Sequence, residues 1–235
     1  MTITDSQTTL TRFQLVAFDL YRDIHKGIRS ELFAVTAAAG QADPGDRAAR
    51  CDLAAHVRDV HVLLESHAEH EDGAIQPLVE THLPQVAEQV EMDHLAFQRR
   101  GESLVALAAD AVEAPGTERR RLLHLLYLDL GSFTSSYLAH QDLEERVLMP
   151  ALERAIGVDA VVGLHRQILA AIPPDEMARS LALMLPAMNL DDRAEMLGGM
   201  RAEAPAEVFA GVWGLAQSVL AGPDRAALAA RLELS

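Results

Sequence analysis

Two pairs of residues in this chain each combine a histidine with a glutamate four positions further on. The first pair is His67 with Glu71, and the second is His140 with Glu144. On an α-helix this spacing places an imidazole and a carboxylate on one face, one turn apart. A single pair of this kind is common on a solvated helix, but both of these pairs lie among apolar residues. Two such pairs that face each other across a helical core can bind metal.

The apolar residues around these pairs recur at alternating steps of three and four, the period of a helix that buries one face. This pattern predicts four long helices, over 12–39, 46–79, 84–111 and 118–155. Each predicted helix carries one histidine on its apolar stripe, namely His25, His67, His94 and His140. The stripe expected on the last helix also contains Asp129, Ser136, Val147 and Ala151. Pro150 is expected to kink or shorten that helix.

The pattern changes after residue 156, where the segments shorten and Pro and Gly become more frequent. Four or five short helices are predicted there, over 159–171, 175–185, 191–202, 206–220 and 224–232. We therefore expect an all-α fold, with an up-down-up-down four-helix bundle over 1–155 and a C-terminal extension of short helices over 156–235. The extension shows no cluster of candidate ligands, and we expect it to pack on the bundle or to mediate association as a homo-oligomer.

The composition fits this fold and argues against several classes of function. Apolar residues make up 49% of the chain and aromatic residues only 4%, which favours helices over sheets. The net charge of -15 argues against binding nucleic acid. Residues 1–11 show no export signal, and no stretch approaches the roughly 20 apolar residues of a membrane span, so we expect a cytoplasmic protein without a membrane partner. The single cysteine, Cys51, allows neither a disulfide nor a zinc–thiolate site and is expected to be a buried free thiol.

Four imidazoles and two carboxylates on apolar stripes need a partner inside the bundle. Burial without one would cost several kcal/mol for each charged group, and a metal removes that cost. We therefore predict a metal site with six ligands, namely His25, His67, Glu71, His94, His140 and Glu144. Carboxylates can bridge two ions, and six nitrogen and oxygen donors suit two irons better than one zinc ion, which needs four ligands. Iron or manganese is preferred, with zinc as an alternative occupant.

The same residues resemble the motifs of the hemerythrin-like family, also known as the HHE cation-binding family. The likeness covers about residues 12–155. His67 and Glu71, followed by Gln-Pro-Leu-Val, resemble the second-helix motif of that family. His140 and Glu144, followed by Arg-Val-Leu-Met-Pro, resemble the fourth-helix motif. The first- and third-helix histidines are matched by His25 in Tyr-Arg-Asp-Ile-His-Lys-Gly-Ile and by His94 in Glu-Met-Asp-His-Leu.

The resemblance implies a non-haem di-iron centre, bridged by the two carboxylates and by an oxo or hydroxo group, that binds dioxygen or related small molecules. Oxygen-carrying members have a second histidine one turn after the third-helix histidine, and this chain has Gln98 there. Water, Gln98, His70 or Glu91 could fill the gap. An open position favours redox chemistry or sensing over reversible oxygen carriage.

Two functions remain open at this point. The first is a di-iron protein that binds or reacts with dioxygen, peroxide or nitric oxide, and catalase- or peroxidase-like turnover would make it an oxidoreductase. The alternative is a metal- or oxygen-responsive sensing module that signals through its C-terminal helices without turnover. The open coordination position motivates the first function, and the extension without motifs motivates the second.

Overall fold

Four long helices enclose the core of the protein in the computed structural model, which describes residues 15–234. They are α1 (Arg22–Gln41), α2 (Arg47–Ala74), α4 (Pro84–Glu113) and α5 (Gly116–Leu143), and the short helix α3 (Gln76–His82) lies between the second and third of them. Helices α1 and α4 do not form a major contact with each other, but each packs against both α2 and α5. Leucine and valine side chains from all four helices fill the space between them. Residues 15–234 contain no β-strand, and the predicted all-α bundle is confirmed.

The first helix is shorter than predicted. It begins at Arg22, after a stretch of bends over 15–21, whereas the helix was expected from residue 12. At the turn into the helix, the Asp19 carboxylate accepts hydrogen bonds from the backbone N–H groups of Tyr21 and Arg22. This local side-chain bonding favours a turn over a continued helix. Positions 12–14 lie outside the described residues.

The second predicted helix is divided in two. It begins after Asp46, whose carboxylate accepts hydrogen bonds from two backbone N–H groups of the first turn, and it ends at Ala74 instead of Val79. Pro77 lies in the first turn of the following helix α3. Because proline has no N–H to donate and its ring clashes with the preceding turn, it fits a helix start but not a helix interior.

The end of the fourth bundle helix contains a widened turn that the sequence pattern did not predict. A π-helical turn over Glu144–Leu148 separates α5 from α6 (Met149–Ile156). Pro150 lies two residues after this turn, and its missing N–H accounts for a break in the regular hydrogen-bond ladder there. The extra residue rotates the buried stripe, so Leu148 and Leu152 are buried where Val147 and Ala151 were expected.

The prediction of which residues are buried along the first part of α5 was also partly wrong. Asp129 is exposed and Ser136 only half-buried, while their neighbours Leu130 and Tyr137 lie in the core. The predicted stripe and the observed buried stripe coincide at several positions and are offset by one residue at the others. The apolar neighbour took the inward place in each case, as the cost of burying an unpaired polar group requires.

Five shorter helices follow within the described range, each within two residues of its predicted bounds. They are α7 (Val158–Ala171), α8 (Pro174–Ala187), α9 (Leu190–Glu203), α10 (Ala206–Val219) and α11 (Gly222–Arg231). Helix α8 packs along α1, where the missing side chain of Gly27 lets Leu183 and Met184 approach the backbone. The extension therefore packs on the bundle, while a domain boundary at residue 155 and a homo-oligomer remain predictions.

The outer surface of the described helices bears on two further expectations. Cys51 is exposed on α2, so the expectation of a buried thiol is wrong. Leu53, two positions on, takes the inward place instead. Among the helices over 15–234, none combines the length and the apolar character needed to cross a lipid bilayer.

Candidate metal centre

The six predicted ligands come together inside the bundle. They are His25 on α1, His67 and Glu71 on α2, His94 on α4, His140 near the end of α5, and Glu144 in the π-helical turn. Exposure ranges from 0% for His25 to 9% for the side chain of His67. The ligands of α1 and α4 lie in the first half of their helices, and those of α2 and α5 lie in the second half or directly after it. An up-down-up-down order requires this arrangement, and the order itself remains a prediction.

The four imidazoles turn their Nε2 atoms towards one another as two pairs. His25 Nε2 lies 3.1 Å from His67 Nε2, and His94 Nε2 lies 3.1 Å from His140 Nε2. The rings of each pair are close to perpendicular, with centroids 5.1 and 4.9 Å apart. Two facing nitrogen lone pairs repel each other unless a proton or a metal cation is shared between them.

Glu71 and Glu144 each lie between the two histidine pairs. Glu71 Oε1 is 3.1 Å from His67 Nε2, and Glu71 Oε2 is 3.4 Å from His94 Nε2. Glu144 Oε1 is 3.1 Å from His140 Nε2, and Glu144 Oε2 is 3.5 Å from His25 Nε2. Each carboxylate therefore presents one oxygen to each pair of imidazoles.

The carboxylate oxygens of Glu71 and Glu144 are buried, and none accepts a hydrogen bond from the described part of the chain. Such groups are costly unless a cation is near. The possible ligand atoms form two groups that share Glu71, and within each group all atoms lie within 4.8 Å of one another. Imidazole nitrogens and carboxylate oxygens bind iron, manganese and zinc. This buried His/Glu cluster therefore indicates a metal-binding site, and the part of each ligand in it remains a prediction.

Three of the imidazoles are held from outside by carboxylates that the sequence patterns did not identify. Measured from Nδ1, the partners are Glu145 for His25 at 2.9 Å, Asp72 for His94 at 2.9 Å and Asp93 for His140 at 3.4 Å. Arg29 in turn donates to the same oxygen of Glu145 at 2.7 Å. A carboxylate at Nδ1 keeps the proton there and leaves Nε2 free for a metal. The one sequence signal for these residues is that each is adjacent to a predicted ligand.

Burial and crowding shift the pKa values of the site. Burial first, and the charge of Glu144 second, raise the pKa of Glu71 to about 7. Burial and the neighbouring imidazoles lower the pKa of His67 well below its usual value. Burial alone would lower the pKa of His94, but the hydrogen bond to Asp72 and the nearby carboxylate of Glu71 outweigh it and raise the pKa to about 10. Protons on these groups must leave when a cation takes their place, so metal binding competes with protons near neutral pH.

Of the residues considered for a further ligand, two are exposed and the third contacts the C-terminal extension. Gln98 and Glu91 are exposed and line a cavity beside His94. His70 turns towards the C-terminal extension, with its Nε2 atom 3.5 Å from Glu176 Oε1 on α8. Within residues 15–234, the groups of converging histidine and carboxylate ligand atoms include neither Glu91 nor His70.

Comparison with known proteins agrees with this geometry. A family model described as "Hemerythrin HHE cation binding domain" matches residues 16–152, more than half of the chain. The matched segment contains all six predicted ligands and ends before α7. A search of curated proteins and a search of solved structures each found no match.

Proposed function

The chain belongs to the hemerythrin HHE cation-binding family, and we propose that it holds two iron ions that bind or react with dioxygen, peroxide or nitric oxide. The observation that carries this proposal is that each carboxylate lies between the two histidine pairs. Glu71 and Glu144 each turn one oxygen to each pair. Two ions bridged by carboxylates would use every one of these atoms. A single ion would leave one imidazole pair without a partner. Manganese or zinc would fit the same donors, and reaction with dioxygen or peroxide favours iron.

Bound iron would supply electrons and Lewis acidity to a small oxygen- or nitrogen-containing ligand. The chain would supply two imidazoles to each ion, from α1 and α2 on one side and from α4 and α5 on the other. Glu145, Asp72 and Asp93 hold the Nδ1 protons of three imidazoles away from the centre, so that each of these three can offer its Nε2 atom to a metal. Four protein atoms for each ion leave room for a bridging oxo or hydroxo group and for the small ligand.

The test begins with the metal content of the purified protein and its absorption spectrum in air. Ferrous iron is then added without oxygen, followed by hydrogen peroxide, dioxygen or nitric oxide, with absorbance and oxygen release recorded. We expect two iron ions per chain and a spectral change with at least one of these molecules. Glu144→Gln should take up less iron, while Glu80→Gln on the exposed side of α3 should match the unmodified chain. A chain that takes up no iron, or whose iron reacts with none of the three, overturns the proposal.

A second candidate is a sensing module, in which the occupied site changes the packing of the extension. The extension contacts residues that flank the predicted ligands. Lys26, next to His25, forms an ion pair with Asp192 on α9. Ser66, next to His67, donates a hydrogen bond to Glu176 on α8. Metal binding that moves these two stretches of backbone would strain both contacts.

Limited proteolysis tests the sensing candidate. We expect cleavage within 157–235 to change when iron is added, and the change to shrink in Glu176→Gln. Asp175→Asn, an exposed neighbour, provides the matched control. Identical digestion with and without iron excludes this candidate, and turnover of peroxide by the iron-loaded protein favours the first one.

A further inference from the structure

A cavity of about 240 Å³ lies between α2 and α4 and reaches His94. Its floor comes from α5, through the buried side chains of Phe133 and Tyr137. Tyr137 and the adjoining wall residue Phe97 both pack against the ring of His140, with centroids 5.7 and 5.3 Å away. The inner end of the cavity therefore borders the ligands of α4 and α5.

The outer end of the same cavity lies at the surface and is acidic. Glu69 and Glu91 line it from opposite helices and are exposed. Glu65 and Asp72 add two further carboxylates on α2. The described residues that line the cavity include no lysine and no arginine. Carboxylates on the walls of a cleft with low-dielectric surroundings repel anions and leave uncharged molecules unaffected.

The wall between the cavity and the bundle core is a close contact between helices. His61 on α2 lies against the backbone of α4 at Gly101, where an added Cβ would come 2.4 Å from the His61 Nδ1 atom. The same imidazole lies 3.5 Å from Glu65. A much smaller apolar space lies behind it, lined by core residues such as Val57 and Leu104. The wide part of the cavity therefore ends at His61 on one side and continues to His94 on the other.

We infer that this cavity is the path by which a small molecule reaches the metal centre, and that its carboxylates select uncharged ligands over anions. The inference rests on the proposed function, because it names the class of molecule that the site receives. Dioxygen, nitric oxide and hydrogen peroxide pass the acidic mouth, whereas azide and similar anions are slowed. The selectivity belongs to the cavity walls and is present before any metal binds.

A metal-free experiment measures the charge selectivity directly. Trp213 is the only tryptophan of the chain, so Trp213→Phe with Leu95→Trp places a single fluorophore on the exposed part of the cavity wall. Quenching is measured with acrylamide, iodide and caesium. Each quenching constant is divided by that of the same quencher for free tryptophan. We expect this ratio to be lowest for iodide. Replacing Glu65, Glu69 and Glu91 with glutamine should raise iodide quenching, lower caesium quenching and leave acrylamide unchanged.

A matched variant removes three carboxylates that lie on α2 and α4 away from the cavity. Its substitutions are Asp52→Asn, Glu102→Gln and Asp110→Asn. This variant should behave like the unmodified chain. Equal iodide quenching in the cavity variant and the unmodified chain, or an equal rise in the matched variant, overturns the charge selectivity.

The iron-loaded protein tests the path. Azide binding should become roughly threefold faster or more in the cavity variant at low salt, with the gain fading as salt is added, while nitric oxide binding keeps its rate. Gln98→Trp should slow both ligands, and Gln85→Trp, also exposed on α4 but away from the cavity, should slow neither. Unchanged rates in Gln98→Trp overturn the path. Iron in the unmodified chain that binds neither ligand and also reacts with neither dioxygen nor peroxide overturns the proposed function instead, and the quenching result still decides the charge selectivity.

Discussion

Replacing Glu71 with glutamine should make the metal-free protein more stable and the metal-loaded protein less so. The carboxyl of Glu71 is buried, lies close to the charge of Glu144, and has a pKa raised to about 7 from an ordinary value of 4.5. Such a rise corresponds to about 3 kcal/mol of lost stability once the carboxyl is ionised. Glutamine has nearly the same shape and cannot ionise, so it removes this cost.

The pH dependence gives the sign of the effect. Because the pKa of Glu71 is higher in the folded chain than in the unfolded chain, the folded state holds its proton more tightly. This carboxyl therefore lowers stability progressively as the pH rises from about 4.5 to 7, and by a constant amount above that. The advantage of Glu71→Gln should be absent below pH 4.5 and should approach about 3 kcal/mol near pH 7.5.

Urea unfolding followed by circular dichroism, with chelator present, measures this difference from pH 4.5 to 8. Glu69→Gln, an exposed substitution on the same helix, is the control and should change stability by no more than about 0.5 kcal/mol. Added iron should then raise the unfolding midpoint of the unmodified chain much more than that of Glu71→Gln. A metal-free Glu71→Gln that is no more stable than the unmodified chain at pH 7.5 would refute the reasoning.

Three further predictions follow from contacts around the site. Glu145→Gln removes the carboxylate partner of His25 Nδ1 and should weaken iron binding by about 10- to 100-fold in competition with a coloured chelator. Gly101→Ala forces a methyl group into the His61 imidazole and should cost about 1–3 kcal/mol in urea unfolding, whereas Gly211→Ala, with open space around it, should be neutral or stabilising by up to about 1 kcal/mol. Iron affinity should fall as the pH drops below 7, because the carboxyl with the raised pKa takes up a proton, and an affinity independent of pH between 6 and 8 would contradict this.

The sequence predicted the helices and the six converging side chains because both depend on spacing within one helix. His25 and His94 fall in line with apolar neighbours at steps of three and four, and the same periodicity places them inside the bundle. The outer carboxylates were missed because their contacts join different helices. Glu145 reaches back to α1, and Asp93, next to His94 in sequence, bonds to His140 on another helix instead.

The widened turn at Glu144–Leu148 shows a second reason why helical periodicity can predict the wrong buried positions. A stripe extrapolated with a fixed step depends on every turn holding the same number of residues, and one wider turn shifts all later positions. Pro150 marked the place of the disturbance correctly, but its effect was a rotation of the buried stripe towards Leu148. The position of a proline therefore predicts that the ladder changes, while the form of the change depends on how α6 packs.

The two His-x-x-x-Glu pairs look equivalent in sequence, and the structure makes their carboxylates unequal. Burial acts to raise the pKa of both. In Glu144 it is outweighed by the close contact with His140 and the charges of nearby imidazoles, so the pKa is lowered, whereas the pKa of Glu71 is raised. Two carboxylates that share one buried site cannot both ionise at the usual pKa, and their environments decide which of them keeps the proton. Without metal, Glu144 is the charged member and Glu71 the member that takes up a proton near neutral pH. The carboxyl proton that a cation must displace therefore comes from α2, which is also the helix whose Ser66 contacts the C-terminal extension.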